Sequence, residues 1–147
     1  MRAIFEGGIR SGATFETQAP SWEEWDATHP RLRFVADRDG AVVGWAALSP
    51  VSSRSCYRGV GDVSVYVGEE ARGAGVGRAL LGHLVERSER AGYWTLTAGI
   101  FPDNDASLRL HLACGFRELG VQRRLAVLNG VWRDVVRLER RSEVVGI

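Results

Sequence analysis

Residues 69–84 read EEARGAGVGRALLGHL: a charged turn, three glycines alternating with other residues, then a run with helical spacing. Val76, Leu80, Leu81, Leu84 and Val85 recur at intervals of three and four, and Gly92 offers a C-terminal cap. The spacing therefore predicts an amphipathic helix over residues 76–91. A helix N-terminus exposes unpaired backbone N–H groups and a partial positive charge, and glycines let an anion approach that backbone, so phosphate is the natural guest. Two common phosphate signatures do not fit. Arg72-Gly73-Ala74-Gly75-Val76-Gly77 lacks the GxGxxG spacing, and Arg78-Ala79 stand where a P-loop carries Lys and then Ser or Thr. On spacing alone the stretch is either an anion cradle or a plain glycine-rich turn.

Upstream of the loop, Val63, Val65 and Val67 alternate with Asp62, Ser64 and Tyr66, which predicts a strand carrying Asp62 and Tyr66 on one face. Before it, RLRFVADRDGAVVGWAAL holds two apolar runs joined by Asp39-Gly40, a pair suited to a tight hairpin. After the helix, YWTLTAGI (93–100) reads as a strand, and FPDNDASLRLHLACGF as a helix that Asn104 caps and Gly115 closes. Two further strands flank Asn129-Gly130 in QRRLAVLNGVWRDVVRLE. From residue 32 the order is β-β-β-α-β-α-β-β. It predicts an α/β (α+β) fold with a mixed, mostly antiparallel central sheet flanked by helices.

A chain of 147 residues suits one core, and one domain is expected over residues 1–147. A net charge of +1 gives no field that would hold a nucleic-acid backbone. The apolar stretches are broken well before the ~18 residues a membrane helix needs, and MRAIFEGGIR lacks a signal-peptide layout, so no membrane partner and a cytoplasmic location are expected. Cys56 and Cys114 lack CxxC spacing; buried thiols are expected, and no disulfide or metal site.

RGAGVG after DVSVYV, then the helix, the strand and NDASLRLHLACGF, resemble the GNAT superfamily of N-acetyltransferases, whose [Q/R]xxGx[G/A] signature is here Arg72-xx-Gly75-x-Gly77. ATFET, PSWEEW, VVGWAALSP, AGI, DN-AS, LH, GF and NGVWRDVVRLE extend the likeness over nearly the whole chain. They resemble the phosphinothricin and methionine-sulfone or sulfoximine acetyltransferase group, which confers resistance to such compounds. The resemblance implies the GNAT fold, acetyl-CoA (coenzyme A) as cofactor, a small amino-acid-like amine as partner, and a homodimer. It assigns the pyrophosphate to Arg72, Gly73, Ala74, Gly75, Val76, Gly77 and Arg78. The pantetheine arm falls to Val65, Tyr66 and Val67 on a splayed strand, and its thiol end to Asn104 with Ser107 beside it. Thr14, Phe15, Ser55, Cys56 and Tyr57 match substrate-contacting segments. Relatives usually begin with a strand and the start of a helix ahead of RAIFEGGI, and the resemblance implies that this first strand and the start of the first helix are missing here.

Acyl transfer to an amine needs a proton acceptor, because the amine is mostly ammonium at neutral pH. Asp62 stands where the resembling group usually carries a Glu base. With an ordinary pKa of ~3.9 it needs burial or a water relay to serve. The alternative is that Asp62 merely begins a strand or pairs with a neighbouring arginine. His111 follows Asn104 and Ser107 on one helical stripe, where many superfamily members carry a Tyr that protonates the leaving thiolate and this group has His; a structural histidine is the other reading. Val65 to Val67 offer amides for the oxyanion. Arg54 or Arg58 can pair with a substrate carboxylate. Trp22, Trp25, Trp45, Trp94 and Trp132 are expected in the core or an interface, His83 faces solvent, and His29 is given no role. Other readings are acetylation of a polyamine or a protein N-terminus, or a non-catalytic CoA-binding sensor.

Overall fold

The computed structural model describes residues 1–147. Its elements run α1 (Arg2–Arg10), α2 (Trp22–Thr28), β1 (Arg31–Arg38), β2 (Ala41–Pro50), β3 (Val60–Val67), α3 (Val76–Arg90), β4 (Thr95–Ile100), α4 (Asp105–Ala113), β5 (Arg117–Leu128) and β6 (Val131–Arg141), so the predicted order holds from β1 onward. Both hairpin turns take positive φ at both central residues: 53° and 82° at Asp39-Gly40, 49° and 77° at Asn129-Gly130. That geometry matches the twist of the strands it joins.

The six strands lie in the order β1-β2-β3-β4-β6-β5. Only β3 and β4 are parallel, and they pair over Val60–Thr95, Gly61–Leu96 and Asp62–Thr97 before separating. β3 continues to Val67 while β4 turns away, so the far half of β3 has no partner on that side. This splay is the main feature the fold contributes to the site.

The sheet is covered on both faces. Leu80, Leu81 and Leu84 of α3 are buried against Ala46, Leu48, Val63, Leu96, Ala98, Val136 and Leu138. Each buried leucine contributes about 1.5–3 kcal/mol, which fixes the direction in which the helix N-terminus points. On the opposite face Trp25 and Trp45 pack with Phe5 and Tyr66. There Ser21 and Glu24 form a reciprocal capping box that starts α2. Neither α1 nor α2 was expected from periodicity.

The expectation of buried thiols changes. Cys56 is exposed and Cys114 half-buried, because Cys56 sits on a one-turn 3-10 helix (Ser55–Tyr57) with nothing packed over it. Trp22 and Trp132 are 59% and 60% exposed, which takes them out of the core and leaves the interface half of their expectation. His83 is exposed, as expected, and lies edge-on to Phe34. No helix is long and apolar enough to cross a membrane.

Candidate active site

The splay between β3 and β4 opens into a cleft of about 860 Å³ that reaches from the glycine loop to the segment after α1. At one end Gly73 and Gly75 take φ of 74° and 80°. A side chain at either would be strained in this left-handed conformation, and the loop uses it to turn the chain into α3. Gly75 is the N-cap and supplies no side-chain cap, and the first turn of α3 carries no acid. The N–H groups of Val76, Gly77 and Arg78 therefore precede the first intrahelical donor, Ala79, whose amide bonds Gly75 O at 3.0 Å. Arg72, Gly73, Gly75, Val76, Gly77 and Arg78 all line the cleft; Ala74 does not.

Val65, Tyr66 and Val67 form the next stretch of wall. The Tyr66 ring turns away to stack on Trp45 at 4.9 Å and meet Phe5 edge-on at 5.1 Å. Burial pushes its phenol above the usual range, opposed by the neighbouring Thr14 hydroxyl. What β3 presents to the cleft here is mainly backbone. Asn104 accepts the Ser107 N–H at 3.2 Å as the cap of α4, and both residues line the wall opposite.

The other end is built from side chains. Asp62 Oδ1 accepts the Thr97 hydroxyl at 2.7 Å, across the last paired position of β3 and β4. Arg137 Nη2 lies 3.8 Å from the same oxygen. Burial raises the Asp62 carboxyl above its ordinary range, while Thr97, Arg137 and His111 pull it back down. The side chain nevertheless keeps 38% of its surface open to the cleft, so the push is moderated by solvent.

His111 is 4% exposed. Its Nδ1 lies 2.8 Å from Ser107 O. A carbonyl only accepts, so Nδ1 carries the proton and Nε2 is left with its lone pair. Burial lowers the His111 pKa, while the Ser107 carbonyl and the Asp62 charge raise it. A neutral imidazole and a carboxylate lining the same cleft can together accept the proton of an approaching ammonium.

Thr14 and Phe15 line this end, with Phe15 edge-on to Phe101 at 4.7 Å. Ser55, Cys56 and Tyr57 lie outside the lining: Arg58 stacks on Trp94 at 5.3 Å and Gly59 is buried beneath that ring, which ties their turn to the start of β4. Arg54 rests over Tyr57 in the same exposed turn. Thr97, Arg137, Phe101, Leu125 and Val135 were missed from sequence. For Arg137 the signal was an arginine inside the apolar run VVRL. No group of three or more His, Cys, Asp or Glu is placed to hold a metal ion.

The family model described as "Acetyltransferase (GNAT) family" matches residues 5–116. This chain belongs to the GNAT family of acetyltransferases. It is 38% identical to a phosphinothricin N-acetyltransferase of Alcaligenes faecalis, over 94% of this chain and 74% of the relative. A phosphinothricin acetyltransferase of Sinorhizobium meliloti, solved in complex with AcCoA, superposes with a TM-score of 0.85 at 31% identity, covering 99% of this chain and 88% of that one. A ribosomal-protein-alanine N-acetyltransferase of Brucella melitensis gives 0.87 at 31% identity, covering 95% and 91%. The chain is an acetyl-CoA-dependent N-acetyltransferase. Its free loop amides and splayed strand fit that cosubstrate.

Proposed function

We propose that the protein acetylates the α-amine of a small amino acid analogue of the phosphinothricin or methionine sulfone and sulfoximine type. The observation that carries the proposal is the juxtaposition of Asp62 and neutral His111 at the end of a cleft whose other end is a helix N-terminus with free amides. Arg72, Arg78 and the amides of Gly73 to Arg78 hold the pyrophosphate, with Ala74 shaping the turn. Val65 to Val67 hold the pantetheine arm, which passes Asn104 and Ser107. Acetyl-CoA supplies the activated acetyl thioester. As the amine attacks the thioester carbonyl directly, Asp62, itself or through a water, draws its proton, and a strand amide of Val65 to Val67 steadies the oxyanion; as the C–N bond forms and the C–S bond breaks, His111 Nε2 relays the proton to the departing CoA thiolate. Thr14 and Phe15 close over the acceptor.

Acetylation removes the charge of the amine, which is the chemistry resistance to such an analogue requires. An acetyl-CoA-using enzyme belongs in the cytoplasm, and we assign it there. We also propose a homodimer, supported by the exposed apolar side chains Leu119, Val121, Val127 and Trp132 on β5 and β6. A monomer on a calibrated column contradicts that part.

The test is CoA-thiol release with acetyl-CoA and a panel of phosphinothricin, methionine sulfone, methionine sulfoximine, ordinary amino acids, spermidine and a peptide. Release that depends on one of the first three supports the proposal. The likeness to the Brucella melitensis enzyme favours a protein N-terminus as the second reading, and release with the peptide alone would establish that one instead. Acetyl-CoA binding without release from any amine leaves the sensor reading.

A further inference from the structure

Arg137 stands in the cleft wall without an obvious task. It is central in β6, between buried Val136 and Leu138, and its side chain leaves that core for the opposite face of the sheet. Its β4 partner in the register is Gly99. A Cβ on Gly99 would meet Arg137 Nη1 at 2.7 Å, so the absence of a side chain there lets the guanidinium lie across β4 toward β3. The one carboxylate it approaches is Asp62, at 3.8 Å, too long for a hydrogen bond. The guanidinium thus lines the cleft without a hydrogen bond to Asp62 and with 35% of the side chain exposed.

We propose that Arg137 is the specificity residue that anchors the carboxylate of an α-amino acid while its amine faces Asp62. The inference rests on the proposed function and names the part of the substrate that function recognises. Bond lengths place the nitrogen and the nearer carboxylate oxygen of an α-amino acid about 3 Å apart. Asp62 Oδ1 and Arg137 Nη2 present the opposite pair of charges at 3.8 Å, so one small zwitterion spans both with hydrogen bonds of ordinary length. The guanidinium fork suits a carboxylate, and a peptide N-terminus or a polyamine offers no carboxylate on the carbon bearing the amine. Thr97 donates to the same Asp62 oxygen at 2.7 Å, so Asp62 keeps its position when the substrate engages Arg137. Arg54 and Arg58, the arginines expected from sequence to take this part, are held outside the cleft by Tyr57 and Trp94.

The experiment compares methionine sulfone with its carboxamide on wild type, Arg137→Gln, Arg137→Lys and Gly99→Ala. Wild type is expected to prefer the acid. Arg137→Gln should lose about 10- to 100-fold in kcat/KM on the acid, chiefly through KM, the scale of a lost hydrogen bond to a charged group. Its loss on the carboxamide should be much smaller, so that the preference collapses. Arg137→Lys should recover part of the loss, and Gly99→Ala, which pushes on Nη1, should show a smaller loss of the same kind. Equal losses on acid and carboxamide, or a wild type indifferent to the carboxylate, overturn the anchor. If wild type turns over no amine, the proposed function fails. The anchor is then read from calorimetric binding of methionine sulfone to the CoA-loaded protein: weaker binding in Arg137→Gln supports it, and unchanged or undetectable wild-type binding overturns it.

Discussion

The two ends of the cleft are made of different material. The end we assign to the cofactor is backbone: a left-handed glycine turn, the first amides of α3 and the unpaired edge of β3. The end we assign to the acceptor is side chains gathered from distant positions: Asp62 from β3, Thr97 from β4, His111 from α4 and Arg137 from β6. Backbone recognition suits a pyrophosphate and an amide-bearing arm, which look the same whatever amine is acetylated. Side-chain recognition suits an acceptor that differs from one family member to the next. Substitutions at the acceptor end should therefore damage chemistry and selectivity while sparing cofactor affinity, and those that bend the loop should do the reverse.

The sharpest break is expected at Asp62. Asp62→Asn keeps the size and the Thr97 contact but removes the proposed base, and kcat/KM should fall about 10²- to 10⁴-fold in steady-state assays. His111→Phe comes next. It fills a buried site that already adjoins Phe116 at 5.1 Å but ends proton relay, so kcat should fall about 10- to 100-fold. At the other end, Gly75→Val forces a β-branched residue into φ of 80°, about 1–2 kcal/mol of strain by the left-handed penalty. Acetyl-CoA affinity, measured by calorimetry, should fall with kcat at saturation largely kept; a change confined to kcat would break the contrast between the ends.

The pH behaviour sharpens the same contrast. Burial raises Asp62 and lowers His111, which brings their titrations toward each other on the acid side. The acid limb of kcat/KM then reports both groups. Because the Asp62 charge raises His111, Asp62→Asn should move the limb of the residual activity to lower pH, and a limb that stays in place argues against the pairing. Stability follows in sign. His111 and His29 are both depressed in the folded state, so below the unfolded value of 6.5 the unfolded chain binds more protons. Their contribution is complete above 6.5 and is lost as pH falls toward their folded values. Urea unfolding should show stability falling over that window, less steeply in His111→Phe. The smallest effect is expected at Cys56, exposed and outside the cleft lining: Cys56→Ser should leave kcat/KM and acetyl-CoA affinity unchanged.

The same division explains what could be read beforehand. The loop, α3, α4 and both hairpins announce themselves locally, through glycine spacing, apolar periodicity and two dipeptide turns. The cofactor end lies within that local information. Residues 1–30 were silent to periodicity, although Ser21-Trp22-Glu23-Glu24 carries the spacing of the capping box that forms there. Arg137 and Thr97 were out of reach for a different reason: their meaning depends on strand order, which sets β6 beside β4 and β4 beside β3. The turn at 55–57 shows the converse, since its position relative to the cleft is decided by Arg58 stacking on Trp94, a contact no spacing encodes.

The most direct measurement is acetyl-CoA affinity set beside turnover of methionine sulfone for wild type and Asp62→Asn. A variant that binds acetyl-CoA as wild type does yet releases almost no CoA is the predicted result. Parallel loss of binding and turnover, or undiminished turnover, would contradict a cleft whose backbone end binds and whose side-chain end performs the chemistry.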